Sequence, residues 1–379
     1  MSTGLGISMA AVILVSFLCS LVAGYVMHRA DYCLAGMFRD LFLFRRLGLL
    51  RCLIVQVVAT LVLLEIARIA GLWSGGPYVY TQSANLKAAA GGLVFGLGMV
   101  LCGSCVVGCL YKMAAGSALN LCAFLSMLAG AAFFAELAPW WGGLVKSWQL
   151  SSARTLPALL AWPTPGVLWP VAATGALWLG WSLRRKPLTV RAYARGFVQP
   201  WRAALILSVV TLVLCLVAGV PLGITSTYVK LGLWVEQWLA PEHVAQLRYA
   251  NSVVLHYRPP LAPEAAGALA STLGPQFTDG LSLLQMPVIF GIVAGSGFSA
   301  WRLAEWRWQW RAPRWNYLLV VIGGVLTGLG ARMASGCNVH FLLGELPLLT
   351  INALLFLGGL LPGSWLGSLI LKRLHDRLG

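Results

Sequence analysis

Charge is what this sequence has least of. Only 10% of its 379 residues are Asp, Glu, Lys or Arg, and 59% are hydrophobic; soluble domains carry roughly 25% charged residues. With a mean hydropathy of +0.81, that scarcity excludes a soluble globular protein and leaves an integral membrane protein. A basic segment ahead of the first apolar run is missing, and the run is long enough to span, so the N-terminus reads as a span and not as a cleaved signal peptide. No phosphate-binding GxxxxGK[ST] loop occurs, so energy from direct nucleotide hydrolysis is not expected. No motif asks for a cofactor. The nine cysteines are an odd number, so at least one stands outside any intrachain disulfide.

Acidic residues are scarcer than basic ones, 11 against 27, for a formal charge of +16. A basic protein can bind nucleic acid, but the distribution here argues against it, because the basic residues flank apolar runs. Clusters at 29–51, 184–202, 302–314 and 372–377, with Lys112, hold 19 of the 27. Such clustering is the mark of cytoplasmic loops. Several tryptophans, among them Trp73, Trp140, Trp141, Trp301, Trp306 and Trp315, fall at predicted segment ends, as interfacial belts do.

Apolar segments of spanning length occur at 5–27, 47–70, 117–138, 165–183, 202–220, 280–300 and 350–371. Two more, 88–114 and 316–346, are interrupted by Gly, Ser, Cys and Asn. Counted as broken helices they make about nine crossings, which puts the termini on opposite faces. The crossing count and the charge count agree on a topology with the N-terminus outside and the C-terminus cytoplasmic. Residues 1–183 form a first half with a connecting span, 184–201 a basic cytoplasmic linker, and 202–379 a second half. The segment 221–279 reads as a long outer loop with short helices on the surface.

An internal repeat supports that division. "GGLVFGLGMVLCGSC" from Gly91 lies over "GGVLTGLGARMASGC" from Gly323 at a constant offset of 232. Gly91, Gly92, Gly96, Leu97, Gly98 and Cys105 match Gly323, Gly324, Gly328, Leu329, Gly330 and Cys337. The two copies run in opposite directions through the membrane, so the expected fold is an all-α polytopic bundle of two inverted repeats. Broken helices at matching positions point to a binding site near the midplane. A new half-helix is expected near Ser104 and near Gly336, with Cys105 and Cys337 in the first turns. Free N–H groups at such a start attract anions.

The run Cys102, Cys105, Cys109 leaves several readings open. As cluster ligands the three lack a clear fourth thiolate, and His340 would have to be recruited; as a Cys102–Cys105 pair they could be oxidised. Alternatively Cys105 lines a substrate path, with Cys102 and Cys109 as neighbours or filler. The segment "GYVMHRADYCLAGMFRD" from Gly24 places His28, Arg29, Asp31 and Cys33 close to the inner face, where Cys33 and Gly36 suggest a short re-entrant turn. Its counterpart by order is "GVPLGITS" from Gly219, with Thr225 as a hydroxyl donor. Arg332 and His340 flank Cys337 inside an apolar run, and intramembrane ionisable residues are functional candidates. His340 could relay protons, and Arg332 could equally snorkel or pair with a carbonyl. Glu345 is expected near the outer boundary.

Taken together these segments resemble the YeeE/YedE family of bacterial inner-membrane proteins. "GYVMHRADYCLAGMFRD" resembles the family's first signature, the two repeat copies resemble its cysteine signatures, and "GIVAGSGFSAWRLAEWRW" from Gly291 is similar to its penultimate span. The resemblance implies an hourglass-shaped bundle whose re-entrant helices meet at the centre. It implies import of a small sulfur-containing anion, thiosulfate above all, and no enzymatic activity. It further implies that Cys33, Cys105 and Cys337 pass the anion along by S–H hydrogen bonds, and that a small cytoplasmic sulfur-carrier protein receives it. Asp31, Cys102, Ser104 and His340 depart from the pattern, and some relatives are linked to selenium, so other sulfur or selenium species stand beside thiosulfate. A membrane thiol-redox or sulfur-transfer protein is the reading from another class.

Overall fold

A computed structural model describes residues 9–73, 81–185, 188–192, 194–257 and 269–378. The first residues of the span expected at 5–27, Lys186 and Arg258 lie outside the described residues. Fifteen α-helices are present among the described residues: α1 Met9–Ala30, α2 Leu34–Phe44, α3 Gly48–Ile69, α4 Lys87–Cys102, α5 Val106–Ala114, α6 Ala118–Val145, α7 Leu156–Leu159, α8 Thr164–Arg185, α9 Pro200–Ala218, α10 Thr225–Leu239, α11 Pro241–Gln246, α12 Arg248–Asn251, α13 Gly280–Arg302, α14 Arg314–Met333 and α15 Ile351–Leu378. A π-helical segment, Val339–Glu345, follows α14. Helices dominate because a bilayer offers no water to the backbone, and a helix satisfies its own N–H and C=O groups.

Among the described residues, eight helical segments are long and apolar enough to cross a membrane: Met9–Phe44, Gly48–Ile69, Lys87–Ala114, Ala118–Trp148, Pro200–Ala218, Gly280–Arg302, Arg314–Met333 and Ile351–Leu374. The protein is therefore an all-α polytopic membrane protein. The segment expected at 165–183 forms α8, which has spanning length but stands outside that set. Pro170 lies within it, and its threonines and tryptophans make it less apolar.

Small residues set the packing. The α4–α14 pair crosses antiparallel, and α15 and α6 pack on its two sides. A Cβ on Gly98 would lie 2.7 Å from the Gly323 carbonyl oxygen, and one on Gly330 would lie 2.9 Å from that of Gly91. The two contacts exchange residues at the 232 offset, so each helix presents to the other what it receives. With no hydrophobic force between helices in lipid, such close backbone approach is how they hold together. The outer pairs follow suit, α1 on α13 and α3 on α9, and Gly24 and Gly295 on α1 and α13 also meet main chain.

Four helices break, each at a left-handed residue. These are Asp31 (φ 45°) after α1, Gly103 (φ 70°) after α4, Gly219 (φ 69°) after α9 and Ser335 (φ 67°) after α14. Gly103 and Ser335 stand at the 232 offset. A glycine takes this conformation without strain, whereas Asp31 and Ser335 adopt it with a side chain. After the breaks come α2, α5, α10 and the π-helical segment.

One expectation about the fold needs correcting. The segment 221–279 is not only a surface loop, because α10 packs along α6 with Tyr228, Val229, Lys230 and Leu233 buried. Charges hid it: Lys230 is buried, donating to Asp279 at 2.8 Å and to the Gln276 carbonyl at 2.7 Å. The same segment carries a short antiparallel ladder, β1 Val253–Tyr257 with β2 Leu269–Thr272.

The basic loops gather at one end. Gln309 bonds in both directions with the α5–α6 turn at Gly116 and Ala118, and the Val198 N–H donates to the Arg29 carbonyl. At the other end Asn85 pairs with Gln149, and Thr155 with Thr350.

Candidate functional site

The breaks deliver cysteines. Cys33 caps α2 in an extended conformation, and the Met37 N–H donates to its carbonyl at 3.0 Å. Cys105 caps α5, and its sulfur accepts from the Gly108 N–H at 3.3 Å. Cys337 precedes the π-helical segment, and the Phe341 N–H donates to its carbonyl at 2.9 Å. So Cys105 and Cys337 stand just ahead of the first turns, not within them. All three are buried free thiols.

Cys33 and Cys105 also come together, with both sulfurs against Gly108. Gly108 makes the room, because a Cβ there would sit 3.2 Å from the Cys105 sulfur and 3.3 Å from that of Cys33. Free N–H groups at converging helix starts favour an anion, and thiols add weak donors with no charge.

Cys102 and Cys109 are occupied differently. The Cys102 thiol donates to the Ser104 carbonyl at 2.8 Å. The Cys109 thiol donates to the Val106 carbonyl at 3.1 Å and lies 3.5 Å from the Tyr228 hydroxyl. Tyr228 itself donates to the Val106 carbonyl at 2.8 Å, which ties α10 to α5. Among the described residues the closest grouping of ligand atoms suited to a metal is Glu136, Glu236 and His243, away from the cysteines.

Two cavities approach the cysteines from opposite ends. One, of about 290 Å³, is lined by Lys87, Gly223, Thr225, Ser226, Tyr249, Arg332, Ser335, Gly336 and His340. The Arg332 guanidinium donates to the Tyr249 hydroxyl at 2.6 and 3.1 Å and to the Ser226 hydroxyl at 3.2 Å. Its partners are neutral, so its charge is available to an anion. His340 Nε2 lies 3.4 Å from Glu345, whose carboxylate also accepts from Thr81 at 3.0 Å and Thr350 at 2.9 Å. Glu345 is thus a buried anchor for His340, and its bond to Thr350 sets it toward the end of the bundle opposite the basic loops. The other cavity, of about 330 Å³, lies at the basic end and is lined by His28, Arg29, Asp31, Tyr111, Lys112, Asn120 and Glu305. Arg29 is buried and already paired with Glu305, and it donates to the Arg195 carbonyl at 2.8 Å. It holds the linker in place more than it offers charge. The cysteines themselves line neither cavity.

Lys112 escaped the sequence reading, which counted it only among the loop charges. Its ammonium lies 3.6 Å from the Cys33 sulfur and 3.4 Å from the Gly103 carbonyl. The signal was available, since Cys105, Cys109 and Lys112 fall at i, i+4 and i+7 on one helix face. The Tyr111 hydroxyl donates to Asp31 at 3.1 Å, so the Asp31 carboxylate has a donor beside this cation.

Buried thiols at the starts of segments that follow helix breaks, together with two cation-lined cavities, make up the candidate site of this polytopic membrane protein. Comparison with known proteins gives its family. The chain belongs to the family described as Sulphur transport, whose pattern it matches over residues 29–366. It is 28% identical over 366 residues to the thiosulfate transporter TsuA of Spirochaeta thermophila, covering 92% of this chain and 96% of that one. It is 25% identical over 389 residues to the thiosulfate transporter TsuA of Escherichia coli, covering 95% of each.

Proposed function

We propose that the protein is an inner-membrane permease that carries thiosulfate, or a closely related sulfur anion, inward past Cys337, Cys105 and Cys33 in turn. The observation that carries this reading is three buried free thiols at the starts of segments that follow helix breaks, read as a septum with a cation-bearing cavity on either side. Arg332 and Lys87 gather the anion in the first cavity. His340 and Thr225 line its approach to Cys337. Helix-start N–H groups and neutral thiols then replace part of its hydration, and thiols that carry no charge of their own keep each stop shallow enough to leave. The basic end is read as cytoplasmic, and there a sulfur-carrier protein takes up the product. The reciprocal Gly98–Gly323 and Gly330–Gly91 contacts support two inverted halves, 1–183 and 202–379, joined by the linker 184–201.

Radiolabelled thiosulfate uptake into cells or proteoliposomes tests the reading. Wild type should accumulate label, and Cys105→Ala should fall to background; absence of uptake by wild type would sink thiosulfate as the substrate. A redox pair would fail on loss of Cys102, whereas the permease should tolerate Cys102→Ala and Cys109→Ala.

A further inference from the structure

Cys33 differs from the other two thiols of the septum in one respect: it has a cation against it. Lys112 reaches it from α5, the helix that Cys105 caps. Among the described residues no carboxylate lies within hydrogen-bonding distance of the ammonium, and its closest partners are the Cys33 sulfur at 3.6 Å and the Gly103 carbonyl at 3.4 Å. The partner is weak on one side and a single backbone oxygen on the other. A charge this deep in a membrane protein is costly and is kept where it serves the pathway.

The placement is directional. Lys112 stands on the boundary between the septum and the basic-end cavity, touching a thiol of one and lining the other. Asp31, also on that cavity, acts on Lys112 through space and is itself held by Tyr111 at 3.1 Å. An anion arriving at Cys33 would therefore meet an ammonium first and a carboxylate just beyond. Conduction needs a site attractive enough to enter and weak enough to leave. The ammonium provides the first property, and the neighbouring carboxylate, competing for the same cation, provides the second.

We infer that Lys112 is an anion-binding residue of the transport path, receiving the charged oxygens of the sulfur anion while its terminal sulfur still faces Cys33, and that Asp31 sets how quickly Lys112 lets go. This rests on the permease reading above. It makes the exit step selective for an anion with two distinct ends, a soft sulfur and a hard oxyanion head, over a symmetric oxyanion such as sulfate.

The test is concentration-dependent uptake of radiolabelled thiosulfate by proteoliposomes holding the full chain, with unlabelled sulfate as competitor. Lys112→Met should raise KM or lower uptake at least about tenfold, while Lys112→Arg should keep most of the wild-type rate. Asp31→Asn should move the two parameters in opposite senses, with a lower KM and a slower maximal rate, which a merely structural role would not do. Should Lys112→Met fail to accumulate in membranes, the Asp31→Asn split decides alone. Wild-type behaviour in both Lys112→Met and Asp31→Asn overturns this inference and leaves the permease standing. No thiosulfate uptake by the wild type overturns both.

Discussion

The two breaks at the 232 offset share a frame and differ in chemistry. After Gly103 the chain resumes as a regular α-helix capped by Cys105; after Ser335 it resumes through Cys337 into a π-helical segment. Such segments are rare and concentrate at functional sites. The first break leads to Lys112, whose ammonium reaches Cys33. The second leads to His340 and its buried Glu345 anchor. The third thiol has no twin either, because Ile224 caps the half-helix after Gly219, where Cys33 caps the one after Asp31. The repeat thus builds a symmetric scaffold of helix starts, and single side chains make one face of it different from the other. A carrier that loads on one side and unloads on the other requires that asymmetry.

The comparison can be broken in several ways. The largest effect is expected from the twin caps themselves. Cys105→Ala and Cys337→Ala should each reduce thiosulfate uptake to background, and survival of either with near-normal uptake would show that the repeat pairs positions without pairing roles. Next comes the shared frame. Gly98→Val and Gly330→Val should be equally damaging to folded yield and thermal stability in detergent, because each drives a side chain into the partner's backbone at 2.4–2.9 Å; overpacking of this kind costs about 1–3 kcal/mol or more. Gly358→Val, with nothing within 4 Å, is the control. A smaller effect should separate the two faces. Arg332→Gln should raise the KM for uptake from the first cavity several-fold, on the order of the loss of one buried charge, with little change in maximal rate.

The smallest effect concerns the loop end of α10. His243, exposed on α11, lies 2.6 Å from Glu136 on α6, and the hydrogen bond and charge of Glu136 raise its pKa above the ordinary 6.5. Because the folded value is the higher one, the clasp is fully present below the ordinary value and is lost as pH rises through the raised one. Melting curves between mildly acidic and mildly alkaline pH should show a small decline that His243→Gln abolishes.

Much of this was legible in the chain. The glycines and cysteines at a constant offset located both breaks, because a left-handed turn and a close backbone approach each demand a small residue there, and Gly103 is the one position where the glycine itself is needed. Cys33, Cys105 and Cys337 were found from the motifs, and each stands at the start of a segment that follows a helix break. What was not legible was burial that depends on partners far away in sequence. Arg29 read as a free cation, but its countercharge, Glu305, is 276 residues distant. Lys230 and Glu236 made α10 look like surface, although Asp279 supplies the missing charge to the first of them. Lys112 read as a loop charge because its distance to Cys33 depends on how α2 and α5 converge, which no local pattern encodes.

The interlocked glycines of α4 and α14 also bear on how the protein can move. Rocking one half over the other needs a seam along which main chains slide. Between these helices the seam is toothed, since each backbone sits in a notch of its neighbour, and sliding by one residue would drive Phe95 or Thr327 into a space sized for a hydrogen atom. The crossing is therefore a fixed pivot. Motion is left to the short helices that begin at the four breaks, around a hub that stays in place.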